Sequence, residues 1–140
     1  MTETEQEYWT RRTELFEIQV QNVRGLARAR TATKKALNQS LLRCDAAAVE
    51  SFTKSLAVLY SSWSEALLLQ VVHTPYGFTQ SEFQQIRVKG SVEDRWTTAL
   101  TVALSRTHQG PSPSDIQERK KYLLSMVERY VMEPAELRNR

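Results

Sequence analysis

The densest group of residues that could do chemistry is a run of basic side chains early in the chain. Between Glu17 and Asp45 the sequence contains no acidic residue. Six cations fall in that window: Arg24, Arg28, Arg30, Lys34, Lys35 and Arg43. Clustered positive charge without compensating acids can neutralise phosphates, and such binding weakens strongly with salt. A solvated helix face explains the run equally well, because no aromatic residue is interleaved with it for base stacking.

The two histidines and the one cysteine do not form a recognisable metal or catalytic motif. Helix bundles often hold paired metals with Glu-x-x-His motifs, but neither His73 nor His108 has a glutamate three residues before it. His73 stands at a helix end, where an interaction with the helix dipole is expected, and His108 lies beside a Gly-Pro turn and should be exposed. Cys44 has no partner for a disulfide and is expected to be buried or half-buried. We therefore expect no metal and no cofactor.

The last residues of the sequence, Glu133-Pro134-Ala135-Glu136-Leu137-Arg138-Asn139-Arg140, have the features of a helix start. Proline suits the first helical position because its missing N–H would have no partner there, and Glu136 brings a carboxylate to the positive end of the dipole. Only about two turns follow, and isolated helices of that length are marginal. We expect this helix to be incomplete within the printed chain, with a solvated basic tail as the alternative.

The elements that would position these residues are helices. A stripe spaced by three and four residues predicts a long second helix: Val49, Phe52, Leu56, Leu59, Trp63, Ala66 and Gln70. Asp45 stands at the N-cap position of this helix, and the segment 73–77 ends it. The first helix directs these residues inward and either continues or breaks near Thr31: Tyr8, Leu15, Ile18, Asn22 or Val23, and Leu26.

Two more helices follow. Ser91 should cap a third helix, with Asp94 at the third position, that buries Trp96, Ala99, Leu100, Ala103 and Leu104. Ser114 should cap a fourth helix that carries Ile116, Leu123, Val127 and Tyr130 toward the core and ends at Met132-Glu133-Pro134. No segment alternates apolar and polar residues as a strand would. The predicted fold is all-α, an antiparallel up-and-down bundle of four to five helices.

Length and composition fit one soluble domain that spans residues 1–140. The 140 residues are 41% hydrophobic and 25% charged, which is enough apolar content for a single core. The sequence has no run of about 18 uninterrupted apolar residues. Its acidic start, Met1–Glu5, is unlike the basic leader of a signal peptide. These features predict a cytoplasmic protein with no membrane partner, and the net charge of +3 permits nucleic-acid binding without arguing for it.

Several of these features together resemble the HEPN superfamily. They are Trp63 and Glu65 on the long second helix, the Pro75–Phe78 turn, the Glu93–Trp96 helix and the terminal Glu-Pro-x-x-Leu-Arg-Asn. The specific part is Leu137-Arg138-Asn139-Arg140, which looks like the first half of the family's Arg-Asn-x-x-x-His motif. The printed chain ends two residues before the motif histidine would appear. We expect this form to be inactive, because it lacks the group that would transfer the proton.

The resemblance implies an up-and-down helical bundle that is usually a homodimer, with the motifs of two protomers facing each other. Catalytic members of the family are metal-independent endoribonucleases, frequent in toxin–antitoxin and antiviral defence systems. RNA is then the expected substrate, and an antitoxin or operon-encoded protein is a further candidate partner. By position, Arg138 would bind the phosphate and Asn139 would orient the site, with weaker RNA contacts from Arg140, Lys34, Lys35 and Arg43. The alternative is a non-catalytic helical module whose apolar stripes serve dimerisation or bind a partner helix.

Overall fold

The computed structural model of the chain describes residues 4–106 and 113–129, and every regular element within those ranges is helical. In chain order the helices are α1 (Glu5–Leu42), α2 (Ala46–Val72), α3 (Gln80–Arg87), α4 (Val92–Ser105) and α5 (Pro113–Val127). The predicted all-α helical bundle is confirmed. The predicted helix from Pro134 onward and the predicted stop at Met132-Glu133-Pro134 lie outside the described ranges.

Helix α1 is continuous across Thr31, where the sequence allows either a continuous helix or a break. Thr4 caps it with a reciprocal pair of bonds to Glu7, and these bonds also lower the pKa of the Glu7 carboxyl. At Thr31 the hydroxyl donates to the carbonyl of Ala27 at 3.0 Å, so the residue stays within the helix. At 1.5 Å per residue, the 38 residues of α1 give a rod about 57 Å long.

A short turn folds α2 back against α1 to make an antiparallel hairpin. Cys44 adopts a positive φ of 56° in this turn, and its side chain is exposed. Asp45 then caps α2 by accepting the N–H of Ala48 at 3.0 Å, as the sequence predicts. The expectation that Cys44 is buried or half-buried is therefore wrong, because the residue lies at the tip of the hairpin.

The apolar core lies where α2 ends. Its buried members are Leu68 and Val72 of α2, Phe78 of the following loop, Ile86 of α3 and Ala99 of α4. Leu68 and Val72 retain only 2% and 1% of their accessible surface. Along the predicted stripe of α2, Ala66 is buried, and the others are half-buried: Val49, Phe52, Leu56, Leu59, Trp63 and Gln70. The apolar stripe of the predicted long second helix therefore does face the core, but its burial concentrates at the C-terminal end of α2.

The opposite end of the hairpin keeps apolar side chains in solvent. Leu41 and Leu42 at the end of α1 are 54% and 87% exposed, and Val58 of α2 is 45% exposed. Helices α3 and α4 join the core at the far end of α2, and α5 packs against α4. The bundle is therefore thickest around the end of α2 and thinnest at the hairpin turn.

Helix α2 is the one element of the described ranges with the length and apolar character needed to cross a membrane. Within its most apolar stretch, 28% of the residues are buried inside the fold. Core helices of soluble proteins meet the same criterion, so this property alone does not identify a membrane span.

Helix α3 was not predicted from the sequence, which indicated only a turn between α2 and Ser91. It is eight residues long, too short for an apolar period to show. Its signal is a capping box: Thr79 accepts the N–H of Glu82, and the Glu82 carboxylate accepts the Thr79 N–H at 2.7 Å. This Thr-x-x-Glu pattern was available in the sequence.

Helices α4 and α5 agree with the predictions except in the burial of α4 and at the start of α5. Of the residues predicted to be buried by α4, Ala99 is buried, Trp96, Leu100 and Leu104 are half-buried, and Ala103 is exposed. Ser91 caps α4 by accepting the N–H of Asp94 at 3.0 Å, as predicted. Helix α5 begins at Pro113, so Ser114 lies inside its first turn and does not precede the helix. Among the residues predicted to face the core from α5, Val127 is buried and Leu123 is half-buried.

Two arginines hold the loop between α2 and α3 from opposite sides. Arg12 of α1 is 3% exposed and donates to the carbonyl oxygens of Val72 and Phe78. Arg106, which follows α4, donates to the carbonyl of Gly77 at 2.7 Å and pairs with the carboxylate of Glu82. The direction in which the chain leaves α2 is therefore fixed by contacts from α1 and α4.

The loop itself closes tightly. Tyr76 has a positive φ of 57° and stacks on Trp9 of α1 with a ring separation of 5.0 Å. The N–H of Gly77 donates to the carbonyl of Thr74 at 3.0 Å, and a Cβ at Gly77 would meet that same oxygen at 2.9 Å. Glycine is required there because the turn leaves no space for a side chain.

Arg12→Met tests whether the loop depends on this guanidinium. The change keeps an unbranched side chain but leaves two buried carbonyl oxygens without their donors. Because hydrogen bonds to charged groups are worth about 1.5–3 kcal/mol each, we expect the free energy of unfolding to fall by about 3 kcal/mol in urea denaturation. The matched control is Arg24→Met at an exposed position of α1, expected to cost less than about 0.5 kcal/mol. If the free energy of unfolding falls by no more than in the control, the hydrogen bonds from Arg12 do not stabilise the loop.

Candidate functional site

The residues predicted to carry out the chemistry, Arg138 and Asn139, lie outside the described ranges, as does Arg140. Their roles therefore stay predictions. The other predicted RNA contacts are described, and each of them is exposed: Lys34 and Lys35 on the second half of α1, and Arg43 in the hairpin turn. The geometry thus brings three of the six predicted residues to one end of the hairpin.

The basic run of α1 divides into two groups. Arg24 and Arg28 are exposed like the two lysines and Arg43, and no carboxylate of the described chain lies within 4.0 Å of any of these five cations. Arg30 differs, because its side chain turns toward α2. A solvated basic face and a phosphate-binding face both agree with the first group.

Arg30 lies against the faces of two aromatic rings. Its guanidinium carbon is 4.4 Å from the ring centre of Tyr60 and 4.2 Å from that of Trp63. Both distances fall within the range in which a ring quadrupole attracts a cation. The sequence analysis found no aromatic residue interleaved with the basic run, because the partner rings come from α2.

Arg30 also borders a partly open cavity of about 440 Å³ between the hairpin, α4 and α5. Its walls are mainly aromatic and aliphatic: Tyr60, Trp63 and Leu67 of α2, Trp96 and Leu100 of α4, and Leu123, Met126 and Val127 of α5. Ser64 also borders it and accepts the indole N–H of Trp96 at 3.2 Å. None of the described residues that line it is acidic. The cavity volume lies within the usual range for small-molecule sites, about 300–1,000 Å³.

Two nitrogen atoms beside this cavity have no hydrogen-bond acceptor. They are Nη1 of Arg30 and Nε1 of Trp63, both shielded from solvent. A buried donor without a partner costs about 1–3 kcal/mol, so such atoms are uncommon in a stable fold. These two donors therefore have no hydrogen-bond acceptor among the described residues.

Sequence reasoning missed both Arg12 and Arg30 as distinctive positions, although a signal was available. The predicted apolar stripe of α1 runs from Tyr8 through Leu15 to Leu26, and helical spacing places Arg12 and Arg30 on that same stripe. A cation at an inward position needs a partner from another element. The stripe could therefore have identified both arginines as residues with long-range contacts.

His73 ends α2 and is 8% exposed. Its Nδ1 lies 2.7 Å from the carbonyl oxygen of Leu69, which can only accept, so Nδ1 carries the proton. Burial lowers the pKa of His73 below 6.5, the hydrogen bond to Leu69 opposes that shift, and the charge of Arg12 adds to the lowering. The expected location at the helix end is right, but the environment favours the neutral ring over a cation that would interact with the dipole.

The described ranges contain no group of three or more His, Cys, Asp or Glu side chains placed to hold a metal ion. Comparisons with protein-family models, with curated proteins and with solved structures find no match to this chain.

The lowered pKa of His73 predicts a pH dependence of stability. The unfolded chain binds a proton at His73 below about pH 6.5, whereas the folded chain resists it until a lower pH. The contribution of His73 to the free energy of unfolding is thus complete above about pH 6.5, and it is lost as the pH falls through the pKa of the folded state. The lowered pKa values of Glu7 and Glu50 act only at more acidic pH, below 4.5.

We expect the free energy of unfolding to fall between about pH 7.5 and about pH 5.5, and His73→Asn to flatten this dependence. Asparagine keeps a donor for the Leu69 carbonyl but does not titrate. Urea unfolding curves at several pH values give the measurement. His108→Asn removes the other histidine and should keep the parental slope. Equal slopes in the parent and in His73→Asn would show that His73 does not carry the dependence.

Proposed function

We propose that the chain is a HEPN-like, metal-independent endoribonuclease domain of a toxin–antitoxin or antiviral defence system. The observation that carries the proposal is the sequence Leu137-Arg138-Asn139-Arg140, which closely follows the predicted helix start at Pro134. The all-α bundle of the described residues supports it, because the motif belongs to a family of helical bundles. We further propose a cytoplasmic location, a homodimer and an antitoxin or operon-encoded partner.

The residue types suit the cleavage of RNA without a metal. Arginine is always charged, so Arg138 can hold the scissile phosphate and stabilise the charge that develops on it. In the family's motif, a histidine would take the proton of the ribose 2′-OH. The 2′ oxygen then forms a bond to phosphorus as the bond to the 5′ oxygen breaks. The products are a 2′,3′-cyclic phosphate and a 5′-hydroxyl end, and DNA is not a substrate because it lacks the nucleophile.

The exposed cations of the hairpin give this proposal an electrostatic component. Lys34, Lys35 and Arg43 are exposed and unpaired with carboxylates among the described residues. Such cations can bind successive phosphates of a substrate strand and draw it from solution. They would supply affinity, and Arg138 with Asn139 would supply the reaction.

Arg138→Ala tests the assignment in the protein as its natural gene produces it. With EDTA present, we expect the parent to cut single-stranded RNA to products with 5′-hydroxyl ends. The variant should cut at least about 100-fold more slowly, because loss of one group that stabilises the transition state costs about 10²–10³ in rate. Labelled RNA separated on denaturing gels gives the rates.

Two controls accompany this assay. Arg119→Ala removes an exposed cation of α5 and should keep parental activity. RNA with a 2′-deoxy sugar at the cut site should resist cleavage, because it lacks the nucleophile. Cleavage that persists in Arg138→Ala, or that requires a divalent metal, would overturn the proposed reaction.

The second candidate function is the non-catalytic helical module, and the exposed end of the hairpin favours it. Leu41 and Leu42 stay in solvent there, Val58 is exposed midway along α2, and most apolar residues of α2 are only half-buried. An apolar helix surface left in solvent is typical of protein–protein contact sites. A second copy of the chain could cover it, and this would serve either function.

Val58→Glu tests whether α2 forms a dimer contact. A carboxylate at a desolvated apolar contact is costly, so we expect the variant to sediment as a monomer at concentrations where the parent is a dimer. Val88→Glu is the matched control, because Val88 is 74% exposed and follows α3 at the other end of the bundle. A dimer that survives Val58→Glu would exclude this face. A dimer that forms without RNA cleavage would favour the non-catalytic module.

A further inference from the structure

The cavity bordered by Arg30 has a charge that no described residue of its walls neutralises. No carboxylate of the described chain lies within 4.0 Å of this guanidinium, and none of the described residues that line the cavity is acidic. The side chain of Arg30 is half-buried and is held on the ring faces of Tyr60 and Trp63. Ring faces attract a cation weakly and leave its N–H donors free to bind an anion in the plane of the guanidinium.

The donors at this wall need an acceptor. Nη1 of Arg30 and Nε1 of Trp63 are both buried and without a partner, and each can only donate. The one other polar contact at the wall is already made, from the indole N–H of Trp96 to the hydroxyl oxygen of Ser64. An occupant that suits this wall therefore carries oxygen atoms that accept hydrogen bonds.

The other side chains that line the cavity indicate what the rest of a ligand should be. Indole rings come from Trp63 and Trp96, and aliphatic surface comes from Leu67, Leu100, Leu123 and Met126. Burial of apolar surface contributes about 25 cal/mol per Å², so an aromatic or compact hydrocarbon body gains most here. Among the described residues that border the cavity, Arg30 is the one cation, and a single cation suits a single negative charge. A polyphosphate would bring more charge than the site can balance.

We propose that this cavity binds a small organic monoanion, a carboxylate or sulfonate with an aromatic or compact hydrocarbon body. The charged group binds the guanidinium of Arg30, and the body lies between the two tryptophans and the leucine and methionine side chains of α4 and α5. Arg30 already lines the cavity, so its guanidinium is beside the space that the anion would occupy. The site is independent of Arg138 and Asn139, and neither proposal depends on the other.

A matched pair of dyes measures both parts of the proposal. Anilinonaphthalene sulfonate and N-phenylnaphthylamine share a ring system, and only the first carries a negative charge. Both fluoresce more strongly in apolar surroundings, so titration of the purified chain gives an affinity and a stoichiometry for each. We expect one sulfonate dye per chain, and displacement of it by phenylpropionate but not by the corresponding uncharged alcohol.

Variants of Arg30 separate charge from shape. In Arg30→Met we expect the sulfonate dye to bind at least about tenfold more weakly, while the neutral dye changes by less than about twofold. Arg30→Lys keeps the charge and should retain most of the preference for the anion. Arg28→Met removes an exposed cation two positions away on α1 and should change neither affinity.

A cavity-filling variant locates the dyes. Leu100→Trp places a larger side chain in the cavity wall and should abolish binding of both dyes, with near-UV circular dichroism reporting that the fold is kept. If Arg30→Met weakens the affinity for both dyes equally, the charge of Arg30 does not contribute to binding and the proposal is overturned. Undiminished binding in a folded Leu100→Trp, or several dye molecules per chain with no response to either substitution, would overturn the cavity as the site.

Discussion

The guanidinium of Arg12 binds the last carbonyl of α2 and a carbonyl of the following loop, and the positions of α3 and α4 depend on that contact. The final carbonyls of a helix have no partner within it, and they form the negative end of its dipole. A buried cation is favourable there, whereas it would be costly beside the middle of α2. Because Arg12 also binds Phe78, it fixes the direction in which the chain leaves α2. Arg106 binds Gly77, the preceding residue of the same loop, from the end of α4.

Arg12 and Arg30 lie on one stripe of α1 but have different surroundings, because they meet different parts of α2. Arg12 reaches the end of that helix, where carbonyl oxygens are free to accept. Arg30 reaches its middle, where the carbonyls already serve the helix, so only the ring faces of Tyr60 and Trp63 remain. The first arginine therefore stabilises the fold, whereas the second keeps a donor without an acceptor.

Features with local causes could be predicted from the sequence, and features with distant partners could not. Asp45 caps α2 through an N–H three residues away, so the residue type and its position were sufficient. Helix α3 is too short for a period, and its capping box at Thr79–Glu82 was overlooked. Arg106 binds main-chain oxygen, which every residue offers, so no pattern of side chains identifies its partner. The stripe position of Arg30 indicated that it faces inward, but nothing in the basic run identified its partner rings, which come from α2. The motif Arg138-Asn139 stays a prediction.

Contacts near both ends of α4 fix its position. The cavity wall that α4 contributes is therefore formed before a ligand binds. Near its start, Trp96 donates to Ser64 and packs against the core, and after its end Arg106 binds Gly77 and Glu82. The wall that α4 contributes is therefore fixed by contacts within the fold that do not need an occupant. A preformed wall spares a ligand the entropy of ordering it, so modest apolar contact and one charged hydrogen bond are sufficient for measurable affinity. Because Trp96 belongs to both the core and the cavity, an occupant that binds only the folded state would also raise the stability of the core.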